Sequence, residues 1–163
     1  MTKQILKQLL YIFLFVLGLA FTYIFVVIIF PFARDSISNN IKLKNMETAL
    51  SRIEHPVGTS LISTRGAVGV LWGNSNHCDF YVGEMRQFDG DRQKVLDFYH
   101  SPDINIAFIE NKTMPDGFTT FDVPYELNTF ADWGLSPADL PANLYLVYTF
   151  DGLYEPGMDF RCH

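Results

Sequence analysis

Between Lys7 and Arg34 the chain carries no charge, and residues 9–33 are filled with Leu, Ile, Val and Phe. At about 1.5 Å rise per residue a helix over this run is longer than the roughly 30 Å hydrocarbon core of a bilayer. In lipid a segment must satisfy every backbone N–H and C=O internally, so the run predicts one transmembrane α-helix. Residues 1–8 then form a short N-terminal tail, and everything after residue 33 belongs outside the lipid. A cleaved signal peptide fits less well. Its apolar stretch spans about 7–15 residues, and a cut after Ala33 would place Pro31 where a small residue is wanted. The expectation is an uncleaved anchor.

Lys3 and Lys7 flank one end of the span, and Arg34, Lys42 and Lys44 the other, so the positive-inside count is nearly balanced. The cysteines decide the expected orientation. Cys78 and Cys162 are the only two in the chain, one opening a predicted strand and the other next to the last residue. Nothing resembles Cys-x-x-Cys, which disfavours redox catalysis. A disulfide pinning the C-terminus to the sheet is the expected role, and it requires an oxidising compartment. That places the N-terminus in the cytoplasm and the C-terminal domain outside it, periplasmic or extracellular.

Within the span Gly18 and Thr22 make a small-xxx-small pair through which a second helix can approach, although glycine is common in membrane helices generally. All 18 acidic residues but only 10 of the 12 basic ones follow residue 33, so the domain carries a formal charge of 10 − 18 = −8. Phosphate backbones would repel such a surface, and no nucleic-acid partner is expected. The expected partners are membrane lipid and other membrane-protein subunits.

After the span, residues 34–58 read as an amphipathic linker helix, with Leu43, Met46, Leu50 and Ile53 at helical spacing and Pro56 and Gly58 ending it. Pro31 is expected to kink the exit from the lipid. Residues 59–163 read as one domain. Alternation from Ile62 to Trp72, the turn-forming Gly73-Asn74-Ser75-Asn76 and a second alternation from Cys78 to Phe88 predict a β-hairpin. Asp91 is the expected N-cap of a short helix reaching His100, and Ile104, Ile106 and Phe108 a third strand. Later strands are expected at Thr119–Val123, at 144–150 before an Asp151-Gly152 turn, and over Met158, Phe160 and Cys162. Between these, Met114-Pro115-Asp116-Gly117 reads as a turn. Tyr125, Leu127, Phe130 and Trp133 are dense apolar residues in an irregular stretch, expected to lie on the domain's own sheet. The fold class is therefore α+β: an N-terminal transmembrane helix followed by a small antiparallel sheet with helices on one face.

The segment 55–110, with Pro56-x-Gly58, the Gly73 and Cys78 hairpin, Gly90-Asp91 and a helix ending Phe98-Tyr99, resembles small extracytoplasmic domains of membrane-anchored or lipoprotein-type bacterial proteins of unknown function. The resemblance implies an extracytoplasmic α+β domain and transfers no active site.

Few residues suggest chemistry. His77-Cys78 and Cys162-His163 contain two possible ligands each, but neighbours in a strand point to opposite faces and structural zinc ligands are spaced by two to four residues, so no metal is expected. His55 and His100 stand at helix-ending turns. Asp79 and Glu84 face opposite ways in one strand. No nucleophile elbow, zinc-protease helix or phosphate loop is present, and no cofactor is expected. Asn111-Lys112-Thr113 is a glycosylation sequon, meaningful only for a chain secreted by a eukaryote. The first functional expectation is a non-enzymatic, single-pass subunit or accessory protein of a larger membrane complex. The alternative is an extracytoplasmic ligand-binding or sensing domain with a pocket lined by Trp72, Tyr81, Trp133 and Tyr148. An enzyme of unknown class comes third.

Overall fold

The computed structural model describes residues 2–73, 76–89, 91–110, 114, 124 and 127–163. The chain begins with α1 (Thr2–Ile24), passes through one π-helical turn (Phe25–Ile29) and continues as α2 (Phe30–Leu50). This apolar N-terminal helix is long enough to cross a membrane, and none of its most apolar stretch is buried by the rest of the chain. The linker helix expected over 34–58 is thus no separate element. Pro31 explains how the run survives. In α geometry its ring would press on the carbonyl of Val27. The wider turn just before it, closed by the Phe30 N–H to the Phe25 carbonyl, gives that ring room.

Four strands follow in one antiparallel sheet: β1 (Thr59–Gly69), β2 (Cys78–Phe88), β3 (Asn105–Ile109) and β4 (Leu144–Tyr154), in the order β1-β2-β4-β3. A short helix α3 (Arg92–Phe98) lies between β2 and β3, with the Asp91 carboxylate accepting from the Gln93 N–H at 2.8 Å as its cap. The mixed α+β architecture is as the alternation patterns require.

Every described residue of β2 except Gln87 is buried, because both faces of the sheet are covered. On one face α2 lays Leu43 and Met46 against Phe80 and Val68, and α3 lays Val95 against Phe88, Tyr145 and Val147. On the other face Leu127, Phe130, Trp133 and Leu140 close over Tyr81, Met85, Leu146 and Tyr148. Leu127, Phe130 and Trp133 of the irregular stretch do lie on the domain's own sheet, while Tyr125 is outside the described residues. Gly83 makes this possible: a Cβ there would sit 3.0 Å from the Trp133 ring and 2.8 Å from the Tyr81 hydroxyl.

Three boundaries differ from the sequence reading. β1 leaves the sheet before Trp72, because the Val70 N–H turns to the Arg161 carbonyl and those of Leu71 and Trp72 to the Asp79 carboxylate. β4 runs through Asp151-Gly152 instead of turning there. Phe80 pairs with Asp151 but Cys78 with Tyr154, so the extra residue is absorbed as a bulge. Leu153 takes a positive φ of 67° in that bulge. Finally, Phe160–Cys162 forms one 3-10 turn, not a strand, because the Asp159 carboxylate accepts the Arg161 N–H and curls the chain. The expected strand at 119–123, the sequon and all but Met114 of the expected turn lie outside the described residues.

Candidate functional site

A dense set of hydrogen bonds lies where the long helix meets the C-terminal segment. Asn39, on α2, donates from Nδ2 to Asp159 Oδ2 at 2.9 Å, and the same nitrogen lies 3.4 Å from Cys78 Sγ and 3.9 Å from Cys162 Sγ. The two cysteines face each other at disulfide distance, their Cα atoms 4.7 Å apart. Arg161 grips Asp159 through Nε and Nη2, at 3.0 and 2.6 Å, and reaches Asn40 Oδ1 through Nη1 at 2.8 Å. These guanidinium hydrogen bonds, with that of Asn39, outweigh burial and hold the Asp159 carboxyl down at about 2.

Nearer the apolar run, Asp35 Oδ2 accepts the Met158 N–H at 2.9 Å, which with Arg34 lowers the Asp35 pKa. The Phe32 and Phe160 rings stand 4.8 Å apart. Farther along, Lys42 pairs with Asp151 at 2.9 Å and caps the rings of Tyr154 and Phe80 at 3.1 and 4.3 Å. From Phe32 to Lys42 the helix is therefore fastened to the end of the chain by ring contact, ion pair and hydrogen bond in turn.

A second polar group lies on the helix-covered face of the sheet. Glu84 and Arg86 are both buried and paired at 2.7 Å, and the Glu84 carboxylate also lies 3.4 Å from His55 Nε2. His55 Nδ1 is 2.7 Å from the Tyr99 hydroxyl, which is 3.2 Å from that of Tyr145. Burial, then the Arg86 charge, lowers the His55 pKa against the pull of Glu84, so the ring is neutral at neutral pH. Burial and the Tyr145 bond push the Tyr99 pKa far up. The Tyr99 hydroxyl donating to His55 Nδ1 and accepting from the Tyr145 hydroxyl runs these three groups in one direction. Such a group orders the sheet face. It offers a carboxylate paired with Arg86, a neutral imidazole and a Tyr99 phenol held protonated by burial.

The expected site residues separate into distinct places. Thr22 Oγ1 donates to the Gly18 carbonyl at 2.9 Å, so its hydroxyl is satisfied within its own helix, and nothing described lies within 4 Å of a Cβ built on Gly18. Tyr81, Trp133 and Tyr148 are buried in the core, with Tyr81 and Tyr148 stacked at 5.4 Å, and Trp72 packs against that core. The Trp72 ring stands 6.1 Å from that of Tyr81, so the structure brings the four expected pocket residues together around one part of the core. Among the described residues no three His, Cys, Asp or Glu side chains gather as a metal set, and His163 turns to the Gly157 carbonyl.

Sequence reasoning missed Asn39, Asp159 and Arg161 altogether, and passed over Asp79 and Glu84 as unpaired. Asp79 accepts the N–H groups of Leu71 and Leu153 at 3.2 and 3.1 Å and contacts His77 Nε2 at 2.8 Å. The signal available was two carboxylates inside the apolar run Cys78-Asp79-Phe80-Tyr81-Val82-Gly83-Glu84-Met85, since a carboxylate in a buried strand must find donors. No protein-family model matches the chain, and neither a curated protein nor a solved structure does.

Proposed function

We propose that the chain is a non-enzymatic, single-pass accessory subunit of a larger membrane complex, its N-terminus cytoplasmic and its acidic domain extracytoplasmic. The observation that carries this reading is the unbroken helix. Its apolar half is uncovered by the rest of the protein, while its second half is built into the sheet domain by Leu43, Met46, Asn39 and Lys42. A flexible tether lets a head search for ligand; a strut holds one surface at a fixed height and heading above the bilayer, as contact with a neighbouring subunit requires. The paired cysteines support the extracytoplasmic side. The polar side chains Asn39, Asp79, Glu84 and Asp159 support a structural reading, since all four are engaged in contacts within the fold.

Extraction of native membranes in a mild detergent, followed by sizing and mass measurement, tests the proposal. The chain is expected to resist alkaline carbonate and to elute with stoichiometric partner polypeptides. Elution as a clean monomer contradicts it.

A further inference from the structure

We infer that the C-terminal segment around Met158 and Phe160 is a second membrane contact, lying in the headgroup region of the bilayer beside the span. Phe160 is 69 % exposed, large and apolar, and its ring packs against that of Phe32. Phe32 is the second-last residue of the uncharged run, one residue before Ala33. The run is longer than the hydrocarbon core, so its end lies at the hydrocarbon edge or within the roughly 5–8 Å interfacial layer beyond it. Phe160, ring against ring with Phe32, lies at that same depth.

The segment has no freedom to swing away. The Met158 N–H is bonded to Asp35, three residues or about 4.5 Å beyond Phe32 along the helix. Gly157, at φ +58°, passes so close that a Cβ would lie 2.6 Å from Asp35 Oδ2. Cys162 then closes onto Cys78. A partly exposed Met158 and an exposed Phe160 ring, held beside the end of the apolar helix, present the kind of apolar face that interfacial segments bury at the headgroup boundary. The occupant of this surface is lipid. Two contacts at one leaflet would fix the tilt and the rotation of the strut, which one helix alone leaves free.

The inference rests on the proposed function only in taking the span to lie in a bilayer, and lipid photolabelling separates the two. The full-length chain is reconstituted into phosphatidylcholine nanodiscs containing a phospholipid with a diazirine near the headgroup or, in a parallel sample, near the acyl terminus. Adducts are mapped by mass spectrometry. Leu61 is the control: it is half exposed but pairs with Arg86, eight residues along β2 from Cys78 and so about 26 Å from the membrane-proximal end. The headgroup probe is expected to label Met158 or Phe160 well above Leu61, and the terminal probe to lose that labelling while still marking the middle of 9–33. Adducts of the headgroup probe confined to 9–33 overturn the inference and leave the anchored reading standing. Absence of adducts from 9–33 as well overturns both.

Discussion

Two aspartates carry more of the structure than their number suggests. Asp79 is 1 % exposed, and its two oxygens collect backbone N–H groups from the end of β1 and from the β4 bulge. Asp79→Asn keeps the shape but turns one acceptor into a donor facing those N–H groups. Leaving a buried donor without a partner costs about 1–3 kcal/mol, so urea unfolding should show a loss of that size; wild-type stability in this variant would contradict the assignment. Asp159 acts through charge. Its folded-state value of about 2 lies below the ordinary 3.8, so the folded protein holds the ionised form more strongly than the unfolded chain does. Its contribution is complete above about pH 4 and is lost as the pH falls towards 2. Stability should therefore drop across that window in the wild type, and Asp159→Asn should flatten the drop. An equal acid slope in both proteins would remove Asp159 from the account. Both residues were hard to see in the sequence for one reason. Alternation along β2 sorts residues between two faces, and the natural inference is that one face is wet. Here both are covered, so a carboxylate on either face is a buried one with obligatory partners.

At the level of elements, the periodic segments were legible and the places where backbone bonds are diverted were not. The long apolar helix, the hairpin of β1 and β2, the Asp91 cap and the alternating starts of β3 and β4 follow from spacing alone. What failed were ends. The Asp151-Gly152 turn signal lost to pairing with β2 across the bulge, and the final alternation of Met158, Phe160 and Cys162 lost to a 3-10 turn organised by Asp159. At Pro31, the expected kink site, the helix continues, and a widened turn just upstream gives the ring room. The pairing of Cys78 with Cys162 joins residues 84 apart. By loop-closure entropy such a bond stabilises the domain by about 4.5 kcal/mol, and reduction should lower stability by about that much in denaturant titrations. Reduction should also release Phe160–Cys162 from the helix, raising amide exchange at Arg161 and Cys162. Unchanged stability and exchange on reduction would show that the bond closes nothing of consequence.

For the molecule as a whole, the sequence pointed to two pieces, an anchor and a head joined by a linker, and the structure joins them as one strut. The reason is long-range. Asn39, Lys42 and Asp35 look like ordinary polar residues on the solvent face of a linker until Asp159, Asp151 and Met158 arrive from more than 100 residues away. The candidate site was unreadable for that reason, since nothing in the local pattern marks a residue whose partner is so distant in the chain. The central claim is that the bilayer span and the sheet domain move as a single body. The most direct measurement is the distance between spin labels at Leu19, in the span, and Leu96, exposed on α3, by pulsed electron resonance in the chain reconstituted into nanodiscs. A single narrow distance distribution is expected; a broad or multi-peaked one, as a hinge near Pro31 would produce, contradicts it.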